Sequence, residues 1–540
     1  MSNIAKEIVT IQAQLETERA VYDSHCQEIA EVLLPRQDQF FDRKREQGEK
    51  RNEKIVDSVA QEALNKFAAA MESILTPRSS KWHRLSVTDP DLADNQEVQE
   101  YLDAVNDTLF RKRYAPSANY ASQQHEAYMS LGAFGTSVLM TEDDPETQGI
   151  RYRNSHISEH AFVENAKGQI RENYRKYKLT GAQAVQKFGE EKLPKAIKLA
   201  ADKESTEKFE FIHCVRPNDE RKPSAKDFRS FEFSSFHVSV TGTELLSEGG
   251  FRTFPYHISR YLTAPNEKYG RSPGMTALSE IKMVNAIRKS DLRARHMAID
   301  PPVLVANERG LRRPLLKPSG INYGALDENG NPLMRPYNNQ ARIDVSNDAL
   351  NQSHKIINDI FLVTLFQILV ETPSMTATEV LQRAQEKGAL LSPTAGRQQS
   401  EALGPMIERE IDLLSFSGQL PPMPDALAER DGDFEIEYTA PLNVLQRAGE
   451  AQAATQILND TIPLAQFDPS IMNRIDFDEY LDIMKEARGV PARMFRSPEE
   501  VAAIEQAEAQ AQQLQSIVEA APSVAGSVKD LAQAEAMANA

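Results

Sequence analysis

Two long stretches of the chain repeat apolar residues every three or four positions. The first begins at Pro273 and continues to about Met297, and the second runs from about Ser346 to Glu371, where Pro373 ends it. This spacing predicts two amphipathic helices, because a proline is tolerated in the first turn of a helix but not in its interior. The apolar positions are Met275, Leu278, Ile281, Val284 and Ile287 in the first stretch and Leu350, Ile357, Ile360, Phe361, Leu365 and Ile368 in the second.

The segment between these helices, residues 300–345, has a different character. It is rich in proline and glycine, and its Asn329-Gly330 pair is a strong hairpin-turn signal, so we predict a small β-rich tip. Two long helices that hold such a tip suit a subunit standing beside copies of itself. The basic residues of the tip make it a candidate docking surface, with a solvated basic face as the alternative. They are Arg309, Arg312, Arg313, Lys317 and Arg335.

The rest of the pattern predicts an α+β fold that is mainly helical. Helical spacing covers residues 1–34, 55–75, 95–114, 120–131, 181–203, 376–387, 397–415, 442–461 and 477–488. Short runs rich in β-branched and aromatic residues predict an antiparallel sheet. These runs cover residues 137–140, 150–153, 169–178, 207–216, 229–240 and 253–262, and a further short strand is predicted at 434–438.

A break separates two of these helices. Gly388 and the pair Ser392-Pro393 interrupt the helical pattern, which resumes at Arg397. We therefore predict that residues 388–397 form a loop whose two ends are fixed by helices. The bases that flank it are Arg383, Lys387 and Arg397, and salt bridges within the helices are an open alternative to contacts with a ligand.

The charge of the chain limits its possible partners. The sequence has 62 Lys and Arg against 79 Asp and Glu, a formal charge of −17. Proteins that wrap nucleic acid concentrate Lys and Arg along one face. The excess of acidic residues in this chain argues against such wrapping. It does not argue against letting DNA pass, because an acidic wall keeps a sliding polyanion from adhering.

No sequence pattern indicates catalysis or a bound cofactor. Gly270-Arg271-Ser272-Pro273-Gly274 lacks the lysine of a phosphate-binding loop, and His125-Glu126 lacks the second histidine of a zinc-protease motif. His156 and His160 have no evident third ligand, and Cys26 and Cys214 form no zinc motif. We predict a non-enzymatic protein without catalytic residues, metal or cofactor, in which the only tryptophan, Trp82, is a structural anchor.

Several short motifs, taken in order, resemble the portal protein, or head-to-tail connector, of short-tailed bacteriophages of the podovirus type. They span the chain from its first helix to the helix after the predicted loop, and no single one of them would suffice. They are Glu18-Arg19, Leu34-Pro35-Arg36, Pro77-Arg78-Ser79-Ser80-Lys81-Trp82, Tyr269-Gly270-Arg271-Ser272-Pro273-Gly274, Met375-Thr376-Ala377-Thr378-Glu379-Val380 and Gly404-Pro405-Met406-Ile407-Glu408-Arg409.

This resemblance implies a dodecameric ring at one capsid vertex, assembled in the host cytoplasm, through which double-stranded DNA is packaged and later ejected. It implies as partners the large terminase subunit, a tail adaptor, the major capsid and scaffolding proteins and internal core proteins, and no membrane. The loop bases Arg383, Lys387 and Arg397 would face DNA, and the basic tip would dock the motor or the tail.

The resemblance also implies an order of domains. It is a wing at 1–268, a first stem helix at 269–299, a clip at 300–345, a second stem helix at 346–371, wing and tunnel-loop helices with a linker at 372–440, a crown at 441–496 and a helical barrel at 497–540. Two alternatives remain open: a virion scaffolding or adaptor protein without a channel, which would lack a sizeable sheet, and a DNA-packaging hydrolase.

Overall fold

The computed structural model describes most of the chain in two compact units. Unit one comprises Met1–Trp82, Leu109–Leu420 and Ala440–Gln446, and unit two comprises His83–Thr108, Pro421–Thr439 and Arg447–Ala540. Within these ranges the structure describes residues 2–41, 48–51, 53–89, 92, 95–144, 147, 149–305, 325–326, 329–336, 343–363, 391–428, 434–439, 453–463, 471, 474–477, 480–481, 484, 501, 503–504, 506–508 and 510.

Helices make up much of the described chain. None of them is long and apolar enough to cross a lipid bilayer. They are α1 Ser2–Leu33, α2 Val59–Leu75, α3 Gln96–Arg113, α4 Tyr120–Phe134, α5 Gly181–Phe188, α6 Lys195–Asp202, α7 Pro273–Ile299, α8 Ile343–Ile360, α9 at residues 391–398, α10 Gly404–Phe416 and α11 Asp425–Ala428; residues 453–463 are also helical.

The described strands pair antiparallel throughout. They are β1 His83–Val87, β2 Thr136–Asp144, β3 Gly149–Ser155, β4 His160–Glu164, β5 Ile170–Thr180, β6 Lys208–Pro217, β7 Phe233–Ser239, β8 Glu244–Phe251, β9 Tyr256–Arg260, β10 Val303–Val305, β11 Met334–Pro336 and β12 Phe434–Tyr438. Unit one holds a three-stranded sheet, β3-β2-β9, a five-stranded sheet, β4-β5-β6-β7-β8, and the pair β10-β11, while unit two holds the pair β1-β12. The predicted α+β class with an antiparallel sheet is therefore confirmed.

Two predictions within the sheet region are wrong. The single helix expected over 181–203 is two helices, because Gly189 adopts a φ of 80° that ends α5 and Pro194 stands at the N-terminus of α6. The segment from His156 to His160, interpreted as loop, forms a short 3-10 turn and the first residue of β4. The predicted strand runs also miss β1, β4 and β8. β1 and β4 have only five residues each, and β8 contains the pair Gly249-Gly250, which has low strand propensity.

The two long helices differ in how well the sequence predicts them. α7 has the expected bounds, and Ser272 caps it by accepting a hydrogen bond from the backbone N–H of Met275 at 2.8 Å. α8 ends at Ile360, short of the predicted Glu371. Leu362 has a φ of 58°, a left-handed conformation that a helix cannot continue through, while Phe361 is fully buried.

The main core of unit one lies where α1, α2, α4, α7 and α8 meet the three-stranded sheet. The chain entering α7 crosses the start of β2 so closely that a side chain on Gly270 would collide with the carbonyl oxygen of Gly135. Both positions therefore require glycine, and this explains why Tyr269-Gly270 precedes the proline that starts α7.

Arg19 of α1 is buried and joins this helix to the five-stranded sheet. Its guanidinium donates to the carbonyl oxygens of Ser158 at 2.6 Å and of His160, and its Nε donates to Asp23 at 3.0 Å. These bonds satisfy backbone carbonyls just before and at the start of the edge strand β4. The Glu18-Arg19 motif thus has a structural role.

Histidines on three strands form a row across the five-stranded sheet, and His160 and His213 of this row are buried. In strand register, His160 lies beside Arg175, Arg175 beside His213, and His213 beside His237. The rings of His213 and His237 stack at 4.1 Å. On the neighbouring sheet, His257 is buried against the Thr141 hydroxyl at 2.8 Å.

Burial lowers the pKa of each of these histidines, and nearby cations lower it further. The pKa of His237 falls to about 3 through burial and then through Lys187 and Arg175, and that of His257 falls to about 3 through burial and then Arg409. The pKa of His213 lies well below 6.5 because of burial and its neighbours His237, Lys187, Arg175 and His160. Tyr256 and Ser235 also contact His213 through hydrogen bonds of 2.6 and 2.9 Å.

We predict that acid destabilises unit one through these side chains. A histidine with a depressed folded pKa binds protons mainly when unfolded, so its contribution is complete above pH 6.5 and is lost as the pH falls toward 3. At pH 5 the cost is ~2 kcal/mol for each of His237 and His257, from about 1.4 kcal/mol per pH unit below 6.5. Urea unfolding of wild type, His237→Gln and the exposed His296→Gln at pH 7 and pH 5 measures this. His237→Gln should show the smaller pH dependence, and equal pH dependence in all three proteins would contradict the account.

Candidate functional site

The segment that includes most of the predicted DNA-facing loop consists of two helices joined by a wider turn. Residues 391–398 form α9, Gln399–Leu403 form a π-helical turn, and α10 follows. The predicted loop over 388–397 is therefore wrong for residues 391–397, which are helical. Pro393 restricts only the turn before it, so that the chain after it can remain helical.

A cluster of charged side chains fastens the π-helical turn to β9. The Glu401 carboxylate accepts hydrogen bonds from Arg260 at Nη2, 2.8 Å, at Nε, 3.2 Å, and at the backbone N–H, 3.0 Å. Arg260 also pairs with Glu164. Gln398 donates to the carbonyl oxygen of Arg260 at 3.0 Å. π-Helical turns are frequent at functional sites, and this one directly follows the segment predicted to face DNA.

Arg397, predicted to face DNA, is held by this cluster. Its Nη1 donates to the Thr263 hydroxyl at 2.6 Å and lies 3.6 Å from Oε1 of Glu401, and one third of the side chain is exposed. A contact between Arg397 and a DNA phosphate would have to compete with both partners. The pairing with Glu401 corresponds to the salt-bridge alternative that the sequence left open. Arg383 and Lys387 lie outside the described residues, so that the DNA-facing role of all three stays a prediction.

A completely buried ion pair holds α10 in unit one. Arg113, at the end of α3, donates to the two carboxylate oxygens of Glu410 at 3.0 Å and 2.5 Å, and the hydroxyl of Tyr152 on β3 donates to the same carboxylate at 2.5 Å. Neither charged side chain has any exposed area. Burial alone lowers the pKa of Arg113, but the Glu410 carboxylate outweighs it and raises that pKa above its ordinary value.

Aromatic rings surround the guanidinium of this pair. It lies 4.6 Å from the ring centre of Trp82 and 4.9 Å from that of Phe110. The indole N–H of Trp82 is 3.2 Å from the hydroxyl of Tyr114, and Trp82 itself is fully buried. Cation–π attraction of this kind gains strength when water is excluded. The predicted role of Trp82 as a structural anchor is confirmed.

Sequence reasoning missed Arg113 and Glu410. Arg113 follows Arg111 and Lys112, and Glu410 sits in an apolar helix beside Glu408 and Arg409, so both resemble ordinary surface charges. The available signal was proximity to motifs, because Glu410 directly follows the Gly404–Arg409 motif and its partner contacts Trp82 of the Pro77–Trp82 motif. These two motifs meet at one buried pair.

The predicted clip has a short β-structure in its described part. β10 pairs with β11, and Leu326 bridges Pro332 around the Asn329-Gly330 turn, where Gly330 has a φ of 81°. The hairpin prediction is confirmed. Arg335 lies on β11 and is exposed. Arg309, Arg312, Arg313 and Lys317 lie outside the described residues, and the docking role of this surface stays a prediction.

The distal half of α7 exposes apolar side chains. Met283 and Leu292 are 44% and 41% exposed, and Met297 and Ile299 are more exposed still. Around the helix, at about 100° per residue, Met283 and Leu292 lie on opposite flanks. Asp291 and Arg295 lie between these flanks on the side of α8, where Arg295 donates to Asn347 at 3.2 Å. Exposed apolar side chains therefore lie on two flanks of the distal half of α7.

His156 and His160, considered from the sequence as possible metal ligands, have different partners. His156 contacts Ser158 and the carbonyl oxygen of Gln37, at 2.6 and 3.0 Å, while His160 contacts Asn173. No group of three or more metal-binding side chains occurs among the residues that the structure describes.

Comparisons with known proteins reveal relatives along nearly the whole chain. The family model described as "Bacteriophage head to tail connecting protein" matches residues 5–495. A probable portal protein of Bordetella phage BPP-1 is 28% identical over 518 residues, which cover 94% of this chain and 92% of the relative. The portal protein of Salmonella phage epsilon15 is 28% identical over 530 residues, which cover 96% and 94%.

Likeness to solved structures is weaker. A chain in the virion of a native gene transfer agent particle aligns over 74% of this chain and 85% of that chain, at 11% identity and a TM-score of 0.34. A score at that level does not establish a shared fold.

We predict that removing the charge of Glu410 strongly destabilises unit one. Glu410→Gln leaves Arg113 buried without a counterion, and breaking a buried pair from one side costs ~3–5 kcal/mol. The matched control is Glu18→Gln, which removes one carboxylate from the exposed pair with Lys268 and should cost no more than ~1 kcal/mol. Urea unfolding at pH 7 measures the free energy of unfolding of both variants. Equal losses of stability would show that the buried pair stabilises the protein no more than the exposed pair does.

Proposed function

Because this chain belongs to the family of bacteriophage head-to-tail connecting proteins, we propose that it is a portal protein of a short-tailed bacteriophage. Copies of the chain form a ring at one vertex of the capsid, and double-stranded DNA passes through the ring during packaging and ejection. The match of the family model to residues 5–495 carries this proposal, and two relatives named as portal proteins align with almost the entire chain. The same match confirms the resemblance predicted from the motifs.

The two flanks of α7 support assembly into a ring. In a head-to-tail ring each subunit contacts its neighbours through two different surfaces, which is a heterologous interface that closes on itself. Met283 on one flank and Leu292 on the other provide two such surfaces, because α8 occupies a third side. We propose that one subunit's Met283 flank packs against the Leu292 flank of the next, in a ring that the resemblance makes dodecameric.

In this function the protein acts mechanically. The ring supplies a fixed passage, and the clip with Arg335 offers a surface for the terminase motor during packaging and for the tail adaptor afterwards. Capsid, scaffolding and internal core proteins surround the remaining surfaces. The alternative of a scaffolding protein predicts an almost purely helical chain, and the two antiparallel sheets of unit one argue against it.

Light scattering of the purified full-length chain tests the proposal. Particles with the mass of a closed ring, stable from low to physiological salt, are expected. A chain that stays monomeric under all these conditions would overturn the proposal, and ATP turnover or magnesium-dependent DNA cleavage would favour the hydrolase alternative.

Charging the flanks of α7 should prevent ring formation. Met283→Glu and Leu292→Glu each place a carboxylate in a contact that we assign to the neighbouring subunit, where an unpaired buried charge is costly. The subunit itself should remain folded, since both side chains are exposed in it. Size-exclusion chromatography with light scattering should show a shift from rings to monomers with an unchanged circular dichroism spectrum.

Leu199→Glu is the control for this change. Leu199 lies on α6 and is 58% exposed, so that the substitution has the same chemistry at a site outside α7. If all three variants assemble equally, the flanks of α7 are not the subunit contact.

Separate alanine substitutions test two of the predicted DNA-facing bases. Lys387→Ala should leave the ring intact and change DNA packaging or retention. Arg397→Ala also removes bonds to Thr263 and Glu401, so it should in addition lower the thermal unfolding temperature. Packaging assays on assembled particles and thermal unfolding of the purified rings provide the two measurements. Loss of rings in Lys387→Ala would show that this lysine is structural.

A further inference from the structure

The distal half of α7 has a strong positive charge within a strongly acidic chain. Residues 282–296 contain five Lys or Arg and one Asp, whereas the whole chain has a formal charge of −17. The excess bases are not spread evenly around the helix. At about 100° per residue, four basic side chains fall within ~60° of one another, and we call them the basic stripe. They are Lys282, Lys289, Arg293 and His296.

The basic stripe lies on the side of α7 that faces away from α8. Asp291 and Arg295 mark the opposite side, because Asp291 is buried and Arg295 bonds to Asn347 of α8. The proposed subunit contacts at Met283 and Leu292 lie about 110° and about 70° from the middle of the stripe, one on each flank. In a ring, α8 of the same subunit would cover one side of α7, and neighbouring subunits would cover its two flanks. The side that carries the basic stripe would remain open.

The bases at the centre of the stripe are available to a ligand. Lys289 and Arg293 are exposed, and neither forms an ion pair with any residue in the described ranges. Lys282 pairs with Glu28 of α1, so the stripe is neutralised only at the end nearest the core. Positively charged side chains in such a row repel one another, and an approaching anion lowers their electrostatic free energy.

We propose that the basic stripe of α7 contacts the phosphate backbone of double-stranded DNA. The inference rests on the proposed function, since it assigns a surface of the ring to the DNA that the ring conducts. The stripe extends ~21 Å at about 1.5 Å per residue, a length over which one DNA strand presents about six phosphates at ~3.4 Å each. Contacts made by charge alone carry no sequence information, as a conduit for a whole genome requires.

The chemistry of the stripe favours DNA over a protein partner. Protein interfaces have an apolar or aromatic centre surrounded by polar residues. No exposed apolar side chain lies at the centre of the stripe, because Met283 and Leu292 are on the flanks. Lysine and arginine spaced along one face, without an apolar anchor, can attract the phosphates of a polyanion by charge alone. Such contacts allow the polyanion to slide past.

The test compares assembled rings of wild type with the double variant Lys289→Gln/Arg293→Gln. Binding of a short blunt DNA duplex is measured by fluorescence anisotropy over a range of salt concentrations. Each subunit that touches the duplex loses two phosphate contacts, which should weaken binding at least about 10–100-fold at ~0.1 M salt and make the dependence on log salt shallower by ~2 for each such subunit. The matched control, Lys6→Gln/Lys66→Gln, removes two exposed lysines from α1 and α2 and should bind as wild type does.

The outcomes separate the inference from the proposed function. Rings of normal size with unchanged DNA affinity overturn the inference and leave the conduit intact. Equal loss in the control and in the stripe variant also overturns it, since net charge would then explain the effect. Normal DNA binding combined with lost attachment to capsid shells would make the stripe a protein-docking surface instead. Absence of rings in wild type contradicts the proposed function itself.

Discussion

The burial of Arg113 against Glu410 is the constraint on which unit one depends. Two charges without solvent exposure are tolerated when they pair with each other. Here Tyr152 donates a further hydrogen bond to the carboxylate, while Trp82 covers the guanidinium, whose Nη1 has no hydrogen-bond partner among the described residues. The pair joins the end of α3, the strand β3 and α10. Since α10 follows the segment that carries the predicted DNA-facing bases, the pair fixes the position from which that segment departs.

The helix α7 shows how one rod can serve several neighbours at once. Its proximal half is buried in the core of unit one, while its distal half divides into sides of different chemistry. Asp291 and Arg295 face α8, Met283 and Leu292 form apolar flanks, and the basic stripe occupies the remaining side. Each side suits a different contact, and a ring of such rods would use all of them.

Periodicity made much of the fold predictable. α1 and α7 have the predicted bounds because their apolar residues face one core at helical spacing. The end of α8 depends on Leu362 adopting a left-handed backbone, which no local pattern signals. The partnership of Arg113 with Glu410 joins residues far apart in sequence, and each alone resembles a surface charge. Motif order therefore indicated the family, whereas the buried contacts behind those motifs required the structure.

Electron micrographs of purified full-length particles, viewed along their symmetry axis, test the central claim most directly. The account predicts closed rings with an open centre and rotational symmetry, in which α7 of every subunit lies between two copies of itself. Images that show single compact particles without a central opening would contradict it, because the apolar flanks of α7 would then have no neighbour.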